Sequence, residues 1–302
     1  MVDSMNTINL SEIFTDEDKA LNFAYSADLL YDGGNCTTPN CNGTYEIAND
    51  SSKKFGCKLK CNKCNSTKSI LYNSIFYLSH TSIHQILHLI HCWAQECSIS
   101  FAAYECNVSE ATASSFYQSF RKACKHYIDV EGEKQIGGIG LNVELDETLI
   151  TKRKSNAGRV LKQIWLFGGI CRETKERFVI KVPNRSARTL LPLIQAYVEA
   201  GSIIHTDHWR AYNGISDLPE GYTHKKVNHS QNFVDPNTGS HTQNVERMWR
   251  EVKRVKKRYE GINSIDINDH VSEYLWRCRN DVKRKNAFSS ALFLIAGCRY
   301  LR

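Results

Sequence analysis

The chain has little of what would take it out of the ordinary globular class. It holds 5 prolines in 302 residues and no low-complexity tract, which argues against extended disorder. Residues 1–7 offer neither the basic start nor the apolar core of a secretory signal, and no apolar run approaches the ~20 residues that a bilayer span needs. The most apolar helical stretch, residues 83–93, is broken by His84, His88 and His91. These absences predict a reducing compartment and no membrane partner. In such a compartment the 12 cysteines are thiols or metal ligands rather than disulfides.

The length is enough for two or three units at about 150 residues per domain, and no internal repeat is evident. Formal net charge is +7, a modest excess that matters because it is clustered, in Lys253-Arg254-Val255-Lys256-Lys257-Arg258 and Lys283-Arg284-Lys285. Such clusters suit a polyanionic partner, although a run of this kind taken alone is usually a solvated helix face.

Four segments are predicted. Residues 1–33 form a helical lead, with Thr15-Asp16-Glu17-Asp18 supplying acids at a helix N-terminus. Residues 34–79 form a zinc-ribbon-like segment. Residues 80–134 are helical, with apolar Ile83, Ile86, Leu87, Ile90 and Trp93 on one face, then helices over 100–106 and 110–127, Ser109 capping the last, and a polar linker after residue 131. Residues 135–302 carry the remainder, including the C-terminal helices. Here Ile139, Leu141, Val143 and Leu145 alternate with Gly140, Asn142, Glu144 and Asp146. Strands over 163–171 and 177–182, a helix over 186–200, strands over 203–205 and 222–227, and a helix over 242–259 complete the order of a ribonuclease-H-like α/β domain.

Three constellations carry chemistry. Cys61-Asn62-Lys63-Cys64 is a tight CxxC turn, and Cys36 with Cys41 forms a wider one upstream. Together they offer four thiolates for one structural Zn²⁺ in a segment too short to build a core. Cys57 competes for the second pair, and the tighter turn favours Cys61 with Cys64. The other seven cysteines are scattered and read as core residues.

Residues 101–117 have the build of a helix-turn-helix. Ser109, Thr112, Ser114 and Ser115 are small side chains that would let a helix approach a DNA groove. An ordinary helical hairpin is the plainer reading of the same pattern.

Asp146 ends an alternating strand, Asp207 follows a second strand, and Glu246 opens a helix. That helix has Val245, Met248, Trp249 and Val252 as its apolar stripe, with Arg250, Lys253 and Lys257 beside Glu246. Hard carboxylates on three rigid elements, next to cations, suit two Mg²⁺ (or Mn²⁺) ions and phosphodiester chemistry. Any one of these acids alone is more simply a surface carboxylate. Glu144 and Glu147 read as structural, and His205, His208, His229 and His241 as orienting or phosphate-contacting groups.

These residues resemble the Merlin-type DDE transposases and their bacterial insertion-sequence relatives with an ISXO2-like domain. The resemblance rests on the lead helix, the cysteine segment, Val143-Glu144-Leu145-Asp146-Glu147, His205-Thr206-Asp207-His208-Trp209-Arg210-Ala211-Tyr212 and residues 229–253. It implies a ribonuclease-H-like core in which Asp146, Asp207 and Glu246 bind two metal ions, cut at transposon ends and join the 3′ ends to target DNA. It also implies recognition of terminal inverted repeats and assembly as a homo-oligomer. The expected place of action is the nucleus in a eukaryotic host, otherwise the cytoplasm and nucleoid. A domesticated DNA-binding protein that kept the ribbon but lost catalysis is the rival from another class, and the three acids together argue against it.

Overall fold

The structure, a computed structural model, describes residues 7–31, 33–150, 163–227, 242–258 and 267–298. It divides into two compact units, Met1–His126 with Asp281–Arg302, and Tyr127–Asn280.

The first unit opens with two helices where the sequence suggested one, α1 (Thr7–Thr15) and α2 (Glu17–Ser26). Asp16 is extended between them and its carboxylate accepts from Lys19 N at 3.0 Å, so the acid capping α2 also interrupts the run. An antiparallel sheet follows, in the order β1 (Gly34–Asn35), β2 (Thr44–Asn49), β3 (Cys57–Cys61) and β4 (Thr67–Lys68). Its buried core is only Tyr45, Leu59 and Cys61, too little to hold short strands without a cross-link.

Next come α3 (Ile83–Ala94), α4 (Ile99–Glu105) and α5 (Glu110–Glu131). The periodic face of α3 is buried, and Gln85 accepts from Ser82 N at 3.2 Å to close its first turn. Ser109 Oγ accepts from Thr112 N at 3.1 Å, which makes it the cap of α5. That helix continues four residues beyond the expected end, to Glu131.

The second unit is built on a five-stranded sheet. A short β5 (Ile136–Gly137) precedes β6 (Asn142–Leu149), β7 (Trp165–Cys171) and β8 (Arg177–Val182), which form an antiparallel meander. Helix α6 (Ala187–Tyr197) leads through β9 (Val198–Glu199) to β10 (Ile203–Asp207). A 3-10 helix (Arg210–Asp217) then precedes β11 (Thr223–Val227). The sheet order is β11-β10-β6-β7-β8, with β10 parallel to both β6 and β11.

Two expectations shift here. Alternation does not begin at Ile139, which is 91% exposed, because Gly137, Gly138 and Gly140 all have positive φ and turn the chain before β6 starts. Helix α6 stops at Tyr197 rather than near residue 200, because Val198 and Glu199 pair with Ile136 and Gly137.

One sheet face packs Val143, Leu145, Phe167, Ile204 and Tyr212 with α6 residues Leu190 and Ile194. The other carries Leu166, Ile170 and Val179 beneath α7 (Gln243–Arg258) and α8 (Ile267–Arg279). The last helix, α9 (Ala287–Gly297), belongs to the first unit, where Phe288 stacks with Phe23 and meets Phe14 edge-on. The expected 135–302 block is therefore divided, with α8 on the sheet and α9 elsewhere.

Candidate active site and thiol cluster

Asp146 and Asp207 lie on the sheet face covered by α7. Strand β10 is in register with β6 at Ile203 with Asn142, Ile204 with Val143 and His205 with Glu144. His205 Nε2 meets Asn142 Oδ1 at 2.8 Å, which fixes the side chains of that pair on one face. Two residues further along each strand stand Asp207 and Asp146, and the period of two returns both to the same face. Asp207 is the last residue of β10, and its Oδ1 accepts from Trp209 N at 2.8 Å.

Asp146 Oδ2 accepts from the indole N–H of Trp249 at 2.9 Å. Burial first, then the charges of Glu147 and Asp207, push its carboxyl up to about 7. The contact to Trp249 depends on a glycine. Gly168 pairs with Asp146 across the β6/β7 ladder, and a methyl group there would lie 2.7 Å from Phe178 O, 2.8 Å from Trp249 Cη2 and 3.0 Å from Met248 Cε. The bare backbone at 168 is what lets α7 settle beside the acid.

Glu246 is in the first turn of α7 and is exposed, with Thr242 Oγ1 donating to its Oε1 at 3.3 Å. The expected apolar stripe of α7, Val245, Met248, Trp249 and Val252, is buried, and Arg250 and Lys253 are exposed. The side chain of Lys257, together with His229 and His241, lies outside the described residues. Among the described residues the three carboxylates do not gather within 4.8 Å of one another.

What holds α7 at this position is Glu144, which is fully buried. Its carboxylate accepts from Asn244 N at 2.8 Å, Asn244 Nδ2 at 2.7 Å and Val245 N at 3.0 Å, and pairs with Arg172 Nε at 2.7 Å. A carboxylate on the first N–H groups of a helix satisfies orphan donors and meets the positive end of the helix dipole. Glu144 therefore fixes the helix that brings in Glu246. Its alternation with Asp146 was legible in sequence, but its partner 100 residues away was not.

On the opposite face, Glu147 accepts from Tyr212 and from Arg185 Nη1, the latter at 3.4 Å. Burial and then Asp207 raise its carboxyl, against these donors. Arg185 stacks 4.0 Å from the Trp209 ring and 5.0 Å from the Trp165 ring, a cation held between two indoles at the edge of the acid site that sequence reading missed.

In the first unit the Sγ atoms of Cys36, Cys41, Cys61 and Cys64 all lie within 4.8 Å of one another, with Cys36–Cys64 at 3.5 Å and Cys41–Cys61 at 3.7 Å. Tetrahedral zinc with Zn–S near 2.3 Å requires sulfurs about 3.8 Å apart, so this donor set fits the ion. Hydrogen bonds from Ser66 first, then Thr38, hold the Cys36 thiol down at about 5, and Ser66 lowers Cys64 to about 7. For Cys41, the N–H of Gly43 pulls down but burial and the neighbouring thiols outweigh it, to about 11.

Cys57 is outside the cluster. It pairs with Asn49 at one end of the β2/β3 ladder while Cys61 pairs with Tyr45 at the other, about 13 Å away at 3.3 Å per residue. Of the cysteines read as scattered, Cys92 and Cys106 instead converge with His88, all ligand atoms within 4.8 Å.

In the expected helix-turn-helix, Asn107 turns the chain at φ 49° between α4 and α5. Ser109 and Ser115 are exposed, whereas Thr112 and Ser114 are half-buried. Thr112 and Ser115 line an open cleft of about 580 Å³ with Leu78 and His80. Among the described residues no helix is long and apolar enough to cross a membrane.

Residues 135–278 match the model of the ISXO2-like transposase domain. A transposase-like protein of Haemophilus influenzae is 30% identical over 103 residues, which cover 34% of this chain and 80% of that protein. Among solved structures, the simian T-cell lymphotropic virus intasome in complex with a PP2A regulatory subunit overlaps 63% of this chain and 67% of its own at 12% identity. The TM-score is 0.33, too loose to establish a common fold.

Proposed function

The chain belongs to the ISXO2-like transposases, and on that premise we propose that it is a metal-dependent DNA transposase. In this reading it binds the terminal inverted repeats of an element, cleaves there and transfers the 3′ ends to target DNA. The single observation that carries the reading is the alignment of Asp146 and Asp207 on one sheet face under the helix that presents Glu246.

The chain order of three strands, a helix, two strands and a helix, which the sequence predicted for a ribonuclease-H-like core, is present and supports that reading. The donor set also suits divalent Mg²⁺ or Mn²⁺. Hard oxygens come from three elements, and the pocket lifts Asp146 toward neutrality, so a cation beside it offsets the burial of its charge. When bound, a pair of such ions supplies Lewis acidity at the scissile phosphate and a water or hydroxyl made nucleophilic near neutral pH.

The chain's own residues do the rest. Glu144 locks the N-terminus of α7, Trp249 orients Asp146, and Thr242 steadies Glu246. Arg250 and Lys253, exposed beyond Glu246, are the phosphate contacts, and the side chain of Lys257 extends the same stripe in sequence. The four-thiol ribbon takes one structural zinc. The α4–α5 hairpin, with Ser109, Thr112, Ser114 and Ser115, is the proposed DNA-reading element, and the protein works as a homo-oligomer on its ends. A bacterial relative supports the cytoplasm and nucleoid rather than the nucleus as the place of action.

The test uses DNA bearing the element's ends, with Mg²⁺ or Mn²⁺. Asp207→Ala is expected to abolish cleavage and joining while DNA binding, measured by mobility shift, is largely retained. Unchanged strand transfer in that variant would sink the assignment.

A further inference from the structure

We infer that His88, Cys92, Cys97 and Cys106 form a second metal site, which takes one zinc-like divalent ion through three sulfurs and an imidazole nitrogen and clasps α3 to the turn between α4 and α5. His88 and Cys92 are four residues apart on α3 and so share a helix face. Cys106 comes from the C-cap of α4, and its Sγ lies within 4.8 Å of the ligand atoms of both. Cys92 and Cys106 are 2% and 3% exposed, while His88 and Cys97 are half-buried.

Cys97 is the fourth donor. The chain leaves α3 through Glu96 at φ 61°, a position that favours glycine, and Cys97 N returns to Cys92 O at 2.9 Å. That turn folds Cys97 back over the last turn of α3, beside Cys92, although its Sγ is not one of the three ligand atoms that lie within 4.8 Å of one another. Buried thiols alone would be ordinary core. Two sulfurs and an imidazole converging from two helices, with a third thiol on the strained turn next to them, are instead the makings of a Cys₃His zinc centre.

The surroundings hold the ligands in orientation. The His88 ring is stacked on Phe14 with centroids 4.5 Å apart and planes within 6°, which fixes the plane of the imidazole. Gln85 Nε2 donates to Cys106 O at 3.2 Å and Asn107 O at 3.1 Å, so the α4–α5 turn is already tied to α3 at this point. An ion here would make that tie rigid and set the angle at which the proposed DNA-reading helix is presented. The site is independent of both the thiol ribbon and the acids.

The experiment measures zinc per chain in the reduced full-length protein and in two variants, Cys61→Ser for the ribbon and Cys106→Ser for the second site. About two zinc ions in the wild type, with one retained in each variant, is the expected result. One ion that survives Cys61→Ser and is lost in Cys106→Ser also supports the site, and overturns the ribbon instead. One ion that Cys61→Ser abolishes, or a Cys92–Cys106 disulfide in the natively purified protein, overturns the site. Because Cys106 is buried and its replacement also touches packing, cobalt substitution of the Cys61→Ser protein gives a second readout. A tetrahedral thiolate–cobalt spectrum that changes on His88→Gln is expected, and its absence overturns the proposal.

Discussion

The thiol cluster and the acid site gather the groups proposed to bind metal in opposite ways. Four sulfurs lie within 4.8 Å of one another on a small sheet whose core is three residues. The three carboxylates are spread across two strands and a helix over a large core and do not close to that distance. A protonated thiol packs like a small hydrophobe, and where Cys36 and Cys64 are held low their charge is taken up by Ser66 and Thr38, so four sulfurs can gather at little cost. Ionised carboxylates repel, and the fold holds them on stiff elements through other residues, Trp249, Thr242 and above all Glu144. The ribbon is thus organised by its ligands, and the acid site by what surrounds its ligands.

Three predictions would break or sharpen this contrast. The largest effect falls on the ribbon. Cys61→Ser should lower amide-exchange protection across β2 and β3 by about 10⁴-fold or more while leaving β6 to β8 unchanged. Equal loss in both sheets would end the distinction.

Next is Glu144→Ala, which takes the carboxylate away from Arg172 and the first N–H groups of α7 and should destabilise the second unit by about 3–5 kcal/mol in denaturant titration, with Glu144→Gln recovering part. A near-neutral result would show that α7 is held by its apolar stripe alone.

The smallest effect is a pH dependence. The folded protein keeps Asp146 protonated up to about 7, against an ordinary value near 3.8, so between those values the native state binds the extra proton. The group therefore costs stability above pH 7, and the cost disappears as pH falls toward 4. Without divalent ions, Asp146→Asn should stabilise the protein at pH 6 by up to about 3 kcal/mol, and by almost nothing near pH 4. A gain independent of pH would mean that burial is not what raises this acid.

What the sequence revealed and what it concealed follow the same contrast. The α7 stripe, the buried face of α3 and the Ser109 cap depend on neighbours within a turn or two, and such periodicities are written locally. Asp207 was legible because it ends a short apolar strand, and Asp146 because it alternates with the buried residues, although β6 runs on past it to Leu149 rather than ending there. Glu144 was visible as an acid on the correct face, but its role depends on Asn244 and Val245, which only the folded chain brings to it. The rivalry between Cys57 and Cys61 could not be resolved by spacing, since it turns on strand register. Nor could His88 and Cys92 announce Cys106, which reaches them only when α4 packs back against α3. The early end of α6 has the same origin, a strand pairing with residues about sixty positions upstream.

The empty side of Gly168 has a consequence for how this protein can change over generations. Because a methyl group at 168 would collide with both Trp249 and the backbone of Phe178, neither 168 nor 249 is free to drift alone. A larger residue on the strand is tolerable only after the indole has been replaced by something smaller, and that replacement removes the donor that holds Asp146. The route from this sequence to a bulkier strand therefore runs through a chain whose first acid is loose, which ties the history of a glycine to that of a carboxylate it never touches.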